Sequence, residues 1–166
     1  VFQYLLDGKT RVADSYTDKV SDPWNDASIT STTYPNLIPY PEAAKSKYGE
    51  TPTIASVLKT NKPTYNWQVT NFNRPAHNKL NVYQLHFRDF TPEGTYQAAI
   101  QKLDYLKRMG VNAIETLPVS EFEGNNSWGY NPNFYFAADK AYGTENDYKQ
   151  FVDECHKRGI AVIGDI

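Results

Sequence analysis

Cysteine is nearly missing from this chain of 166 residues: Cys155 stands alone. One thiol closes no intrachain disulfide, and no Cys/His spacing of a zinc site accompanies it. Its helical setting reads as a small core position. It selects no compartment, so secreted, periplasmic and cytoplasmic locations all stay open. Long apolar runs are missing too. None approaches the roughly 18 residues of a membrane-spanning helix. Charge is balanced at 17 basic and 19 acidic residues, a net −2. That offers no electrostatic footprint for nucleic acid or an anionic membrane. No acidic loop has EF-hand spacing, and these residues assign no metal and no certain cofactor. Glycine is scarce where a nucleotide-binding turn would need it. The stretch Arg88-Asp89-Phe90-Thr91-Pro92-Glu93-Gly94 holds one glycine, which argues against a phosphate-binding doubly wound sheet.

What is present divides into two regimes. Residues 1–79 are rich in Pro, Asn, Thr and Tyr, with little periodicity. Residues 1–6 read as a strand, Asp7-Gly8 as a hairpin turn and 11–13 as the return. Beyond, Pro23, Pro35, Pro39, Pro41, Pro52 and Pro63 forbid long helices and central strands. Disordered segments are poor in aromatics. This one carries Trp24, Tyr34, Tyr40, Tyr65 and Trp67, so 17–79 reads as an ordered connector packed by its rings.

Residues 80–166 alternate apolar strands with amphipathic helices. Strands are expected at 82–87, 111–117 and 160–166. Helices are expected at 96–109, with Tyr96, Ala99, Ile100, Leu103 and Leu106 on one face, and at 145–158. Thr95 caps the first helix, and Thr144 with Asp147 forms a capping box on the second. Each helix ends in basic residues and a glycine, Lys107-Arg108-Met109-Gly110 and Lys157-Arg158-Gly159, as the helix dipole favours. The order β-α-β-α-β implies a parallel sheet, either a (β/α)8 barrel or a doubly wound one. Between the second strand and second helix, residues 119–143 read as a long loop, and long loops are often functional. The chain stops inside an apolar strand. Three parallel strands would leave an open edge, so the expectation is part of a larger protein.

Four stretches resemble the α-amylase family of retaining glycoside hydrolases. Val82-Tyr83-Gln84-Leu85-His86-Phe87-Arg88-Asp89-Phe90 resembles the first barrel strand of its debranching and branching members. Gly110-Val111-Asn112-Ala113-Ile114-Glu115-Thr116-Leu117-Pro118 resembles the second-strand motif. Trp128-Gly129-Tyr130-Asn131-Pro132, followed by Tyr135-Phe136-Ala137 and Tyr142-Gly143, resembles the loop after it. His156-Lys157-Arg158-Gly159-Ile160-Ala161-Val162-Ile163-Gly164-Asp165-Ile166 resembles the approach to the third strand. Upstream, Tyr4-Leu5-Leu6-Asp7-Gly8, Arg11-Val12-Ala13-Asp14 and Asp22-Pro23-Trp24 resemble the sandwich tail and connector of pullulanase-like members.

The resemblance implies α/β architecture: strands 1–3 and helices 1–2 of a (β/α)8 TIM barrel over 80–166, a connector over 17–79 and the tail of a β-sandwich module over 1–16. It implies action on an α-glucan polysaccharide or oligosaccharide, completed by the remainder of the same polypeptide. Hydrolysis of starch, glycogen or pullulan leads. A branching transglycosylase of the same family and a non-catalytic carbohydrate-binding barrel are the alternatives. A retaining site needs two carboxyl groups about 5–5.5 Å apart. The family draws them from strands four and five, so no catalytic residue is expected in this chain. Asp165 matches the third-strand aspartate that supports the sugar site, and Tyr130 the tyrosine that stacks on the sugar. Trp128 and Asn131 are secondary candidates that shape the loop. Glu115 reads as a buried strand residue with a polar partner, Asp89 as a loop anchor or site residue, and His86 as a core histidine. His156 sits where the helix dipole favours its cation. Calcium, bound in many family members through an asparagine beyond this stretch, is possible in the parent.

Overall fold

A computed structural model describes residues 1–45, 52–62 and 64–166. Thr51 and Pro63 of the expected connector lie outside the described residues. In chain order the elements are strands β1 (Tyr4–Leu6), β2 (Thr10–Val12) and β3 (Val20–Ser21), helix α1 (Glu42–Lys45), and strands β4 (Ala55–Ser56) and β5 (Val82–Leu85). Helices α2 (Phe87–Phe90), α3 (Tyr96–Ile100) and α4 (Leu103–Arg108) follow. Strands β6 (Ala113–Thr116), β7 (Ser120–Phe122) and β8 (Pro132–Ala138), helix α5 (Glu145–Lys157) and strand β9 (Ala161–Gly164) complete them. The chain forms two compact units, Val1–Lys62 with Ser120–Ala141, and Pro63–Val119 with Tyr142–Ile166.

The first unit is built from short antiparallel pairs. β1 and β2 pair with Tyr4 opposite Val12. The turn between them holds Asp7 and Gly8 at φ 50° and 67°, the double left-handed step a tight hairpin demands. β3 pairs with β4, and Phe2 bridges Ser56 beside them. Val20, Tyr34, Tyr40, Ala55 and Val57 are buried here, whereas Trp24 is exposed. The third pair corrects a sequence expectation. Residues 119–143 are not an irregular loop: β7 and β8 form an antiparallel hairpin within them. The aromatic run Phe134-Tyr135-Phe136 suits a strand. Its alternation is blurred by register shifts on either side of Glu121, which hide the strand from a period-two reading.

The second unit holds the parallel sheet, in order β5-β6-β9. Tyr83, Ile114 and Val162 share one register row, and Gln84, Glu115 and Ile163 the next. Adjacent rows face opposite sides. The core is aromatic: the Phe87 ring lies 4.7 Å from Tyr96 and 5.0 Å from Phe151, both edge-on. Leu103, Leu106, Ile114, Cys155 and Ile160 are buried with them.

The helix signals behave as their chemistry dictates. Thr95 Oγ1 accepts the Ala98 N–H at 3.2 Å. Thr144 and Asp147 exchange both bonds of the capping box. Both helix exits close alike, through Val111 N–H to Leu106 O at 3.2 Å and Ile160 N–H to Cys155 O at 2.9 Å. Two expectations change. The strand expected over 82–87 ends at Leu85, because His86 turns to cap α2. The helix expected over 96–109 is interrupted at Gln101-Lys102. There Lys102 N–H bonds three residues back to Ala99 O at 2.9 Å, which tightens the turn.

Candidate functional site

The hairpin of the first unit brings Trp128, Tyr130 and Asn131 together at its tip. Short local bonds shape that turn. Ser127 Oγ accepts the Gly129 N–H at 3.0 Å and donates to Asn131 Oδ1. Gly129 takes φ 92°, a conformation that strains any residue with a Cβ. Either side of this buried glycine, Trp128 and Tyr130 are 65% and 52% exposed. Large rings held out by a rigid turn present flat apolar faces with polar edges, the surface a pyranose ring complements. Tyr16 and Phe136 add a second exposed ring pair in this unit, stacked at 5.5 Å.

The root of the hairpin holds a buried charge cluster. Lys140, 2% exposed, pairs with Glu121 of β7 and, at 3.3 Å, with Asp26. Asp139 is buried alongside, and its carboxylate accepts the backbone N–H groups of Ala141 at 2.8 Å and Phe122 at 3.4 Å. Asp26 Oδ2 accepts the Asp22 N–H at 2.9 Å. Two acids pair with one ammonium and a third is buried beside them, and Glu121 Oε2 takes no hydrogen bond among the described residues. Burial raises the Glu121 pKa. Lys140 opposes the rise, and Asp139 and Asp26 add to it. Burial also raises Asp139 and Asp26 against the pull of their partners. Among the described residues no group of three or more His, Cys, Asp or Glu is placed to hold a metal ion. This gathering of acids already contains a cation of its own. Sequence reasoning missed the cluster: the acids and the lysine are far apart in the chain, and only the neighbouring pair Asp139-Lys140 hints at it.

Asp165 belongs to the second unit. It follows β9 at the carboxyl edge of the parallel sheet, where its N–H donates to Thr116 O at 3.0 Å. It is half-buried, and its Oδ1 accepts the Ile166 N–H at 2.9 Å. Glu115 has the expected polar partner, Gln84 Nε2 at 3.1 Å, but is half-buried rather than buried. His86 is not a core histidine. It is half-buried at the end of β5, and its Nδ1 accepts the Arg88 N–H at 3.2 Å. Asp89 pairs with its neighbour Arg88 at 2.8 Å, which holds its carboxyl below the usual range. His156 stacks on Phe72 at 4.0 Å. Burial lowers its pKa, with Asp153 opposing, so desolvation outweighs the helix-end effect expected there. Cys155 is fully buried, and burial pushes its thiol up.

A parallel β-α-β-α-β unit with a hairpin inserted after its second strand defines an α/β architecture. The chain belongs to the α-amylase catalytic domain family, whose model matches residues 16–166. It is 48% identical over 85 residues to the malto-oligosyltrehalose trehalohydrolase of Arthrobacter ramosus, across 51% of this chain and 15% of the relative. A provisionally assigned alpha amylase from Salmonella typhimurium shares its structure at TM-score 0.72 and 30% identity, over 99% of this chain and 23% of that one. The group B Streptococcus pullulanase SAP, solved in complex with maltotetraose, matches at TM-score 0.63 and 25% identity, over 95% and 23%. The chain thus spans less than a quarter of the length of these proteins. No helix among the described residues is long and apolar enough to cross a membrane.

Proposed function

We propose that this chain is part of a retaining glycosidase that hydrolyses α-glucans such as starch, glycogen or pullulan. In this reading residues 80–166 supply the first three strands of a (β/α)8 barrel. Residues 17–79 form its connector, and 1–16 end a preceding β-sandwich. The observation that carries the reading is the hairpin tip: within a chain of this family, it holds Trp128 and Tyr130 exposed on a turn that Ser127, Gly129 and Asn131 make rigid.

Tyr130 stacks on a glucose ring. Asp165 supports a bound sugar by holding a cationic side chain through a charge-assisted hydrogen bond. Trp128 and Asn131 shape the approach. The nucleophile and the acid/base belong to later strands, so the 166-residue chain alone is inactive.

The test is reducing-end release from starch, glycogen and pullulan by the full-length protein beside this chain. Release by the former alone supports the reading. Turnover by the chain alone refutes the division of roles, and no release by either refutes the activity. Formation of new α-1,6 branches without net release would assign the branching alternative instead.

A further inference from the structure

The hairpin that carries the sugar-facing rings is fastened to one short stretch of the connector. At its root, Lys140 reaches Asp26 at 3.3 Å and pairs with Glu121, all three buried. Nearer its tip, Asn125 Nδ2 donates to Asn25 O at 2.9 Å and to Ser28 Oγ at 2.7 Å. Asp26 and Ser28 bound one 3-10 turn. That turn is pinned from behind, since Asp22 Oδ1 accepts the Trp24 and Asn25 N–H groups at 2.8 and 3.2 Å. Three contacts with one pinned turn, one at the root and two from Asn125, fix the direction of a lever that short strand pairing alone would leave loose. β7 has only three residues and its register slips on both sides of Glu121.

We propose that Lys140 is a positioning residue for glucan binding: by bridging Asp26 and Glu121 inside the first unit it aims the hairpin tip and so sets how Trp128 and Tyr130 meet the sugar. The proposal rests on the sugar-contact reading of Tyr130. Among the described residues, the charged groups facing Lys140 are acidic: Asp26 from the 3-10 turn, with Asp22 behind it, Glu121 from β7 and Asp139 just after β8. A neutral side chain at 140 therefore leaves buried acids without a cation, which is strongly destabilising whether or not Lys140 aims anything.

The experiment separates aim from stability. In the full-length protein K140M is compared with K140M/E121Q/D26N, which removes both charge pairs together and leaves Asp139 held by its two backbone N–H donors. Melting temperature, KM and kcat for maltotetraose, and amide hydrogen exchange across 123–131 are read on each. A positioning role predicts that the triple variant regains the melting temperature lost in K140M. Its KM stays about tenfold raised with kcat within about threefold, and residues 123–131 exchange faster than in the parent. Wild-type KM and exchange in the folded triple variant would overturn it. Should that variant not fold, D26N alone breaks one bridge while keeping the side-chain shape, and unchanged exchange at 123–131 overturns the proposal equally. Y130A tests the underlying reading: an unchanged KM there removes the sugar contact, while the exchange data still judge the aim.

Discussion

The carboxylate of Asp153, buried on α5, accepts the backbone N–H of Val69 at 2.9 Å. Its other oxygen accepts the Gln68 N–H at 3.0 Å and the Tyr65 hydroxyl at 3.2 Å. One side chain thus ties residues 65–69 to α5. Removing it strands two backbone donors. D153A is expected to cost about 3 kcal/mol and D153N clearly less, since the amide keeps one acceptor oxygen. Urea unfolding of both variants checks this, and equal, small losses would show that the bonds are not made.

The same residue sets a pH dependence at the acid end. Burial raises the Asp153 pKa, but the two backbone donors and the Tyr65 hydroxyl lower it, and the net direction is down from 3.8. The native state therefore binds fewer protons here than the unfolded chain. This stabilisation is fully present above the ordinary value and is lost as pH falls through the depressed one. Melts taken below pH 4 should drop less steeply in D153N than in the parent.

Glu121 acts in the opposite sense. Burial holds its folded pKa up at about 8 against an ordinary 4.5. Between those values the native state keeps a proton that the unfolded chain has released, and the Lys140–Glu121 contact becomes a full ion pair only as pH rises through the upper one. Stability contributed by this site is therefore highest below 4.5, falls as pH rises through that window, and levels off above about 8. Asp139, raised to about 6 from 3.8, adds a loss of the same sign at lower pH. Melting temperatures from pH 5 to 9 should decline more in the parent than in E121Q. Parallel curves would show that Glu121 titrates normally.

Much of the second unit was legible from sequence because its signals are local. Thr95, the Thr144/Asp147 box and the paired basic-glycine exits are decided within one helical turn. The failures were also physical. His86 looks like a strand residue until its ring caps α2, a choice made by hydrogen bonding rather than hydropathy. The β7–β8 hairpin escaped notice because two register shifts break its alternation. The Lys140 cluster was invisible for a different reason. Its members, Asp26, Glu121 and Asp139-Lys140, come from separate segments that only the folded chain assembles.

Phe87 tests how far the aromatic core carries the second unit. Its ring meets Tyr96 at 4.7 Å, Phe151 at 5.0 Å, Tyr142 at 5.9 Å and Tyr148 at 6.3 Å. Large rings around one point cannot collapse into a deleted one. F87A is expected to cost about 3–5 kcal/mol, at the high end for a core aromatic, and F87L about half of that. Thermal melts with far-UV circular dichroism would measure both. A loss near 1 kcal/mol for F87A would mean that the neighbours close the gap.

Tyr130 and Trp128 share a turn yet are assigned different duties, and substitutions can separate them. If Tyr130 stacks on sugar, its ring face matters and its hydroxyl does not. Y130F should then leave KM for maltotetraose within about twofold, and Y130A should raise it about tenfold, a loss of about 1.4 kcal/mol of binding. Trp128, assigned to shaping the approach, should give a smaller change on W128A, and one that W128F largely restores. The turn itself offers the control. Gly129 at φ 92° cannot take a side chain without strain, so G129A should disturb both rings and raise KM at least as much as Y130A. Steady-state kinetics of the full-length enzyme decide the matter. A Y130A variant with wild-type KM, beside a W128A variant that loses binding, would reverse the two assignments and move the sugar to the indole.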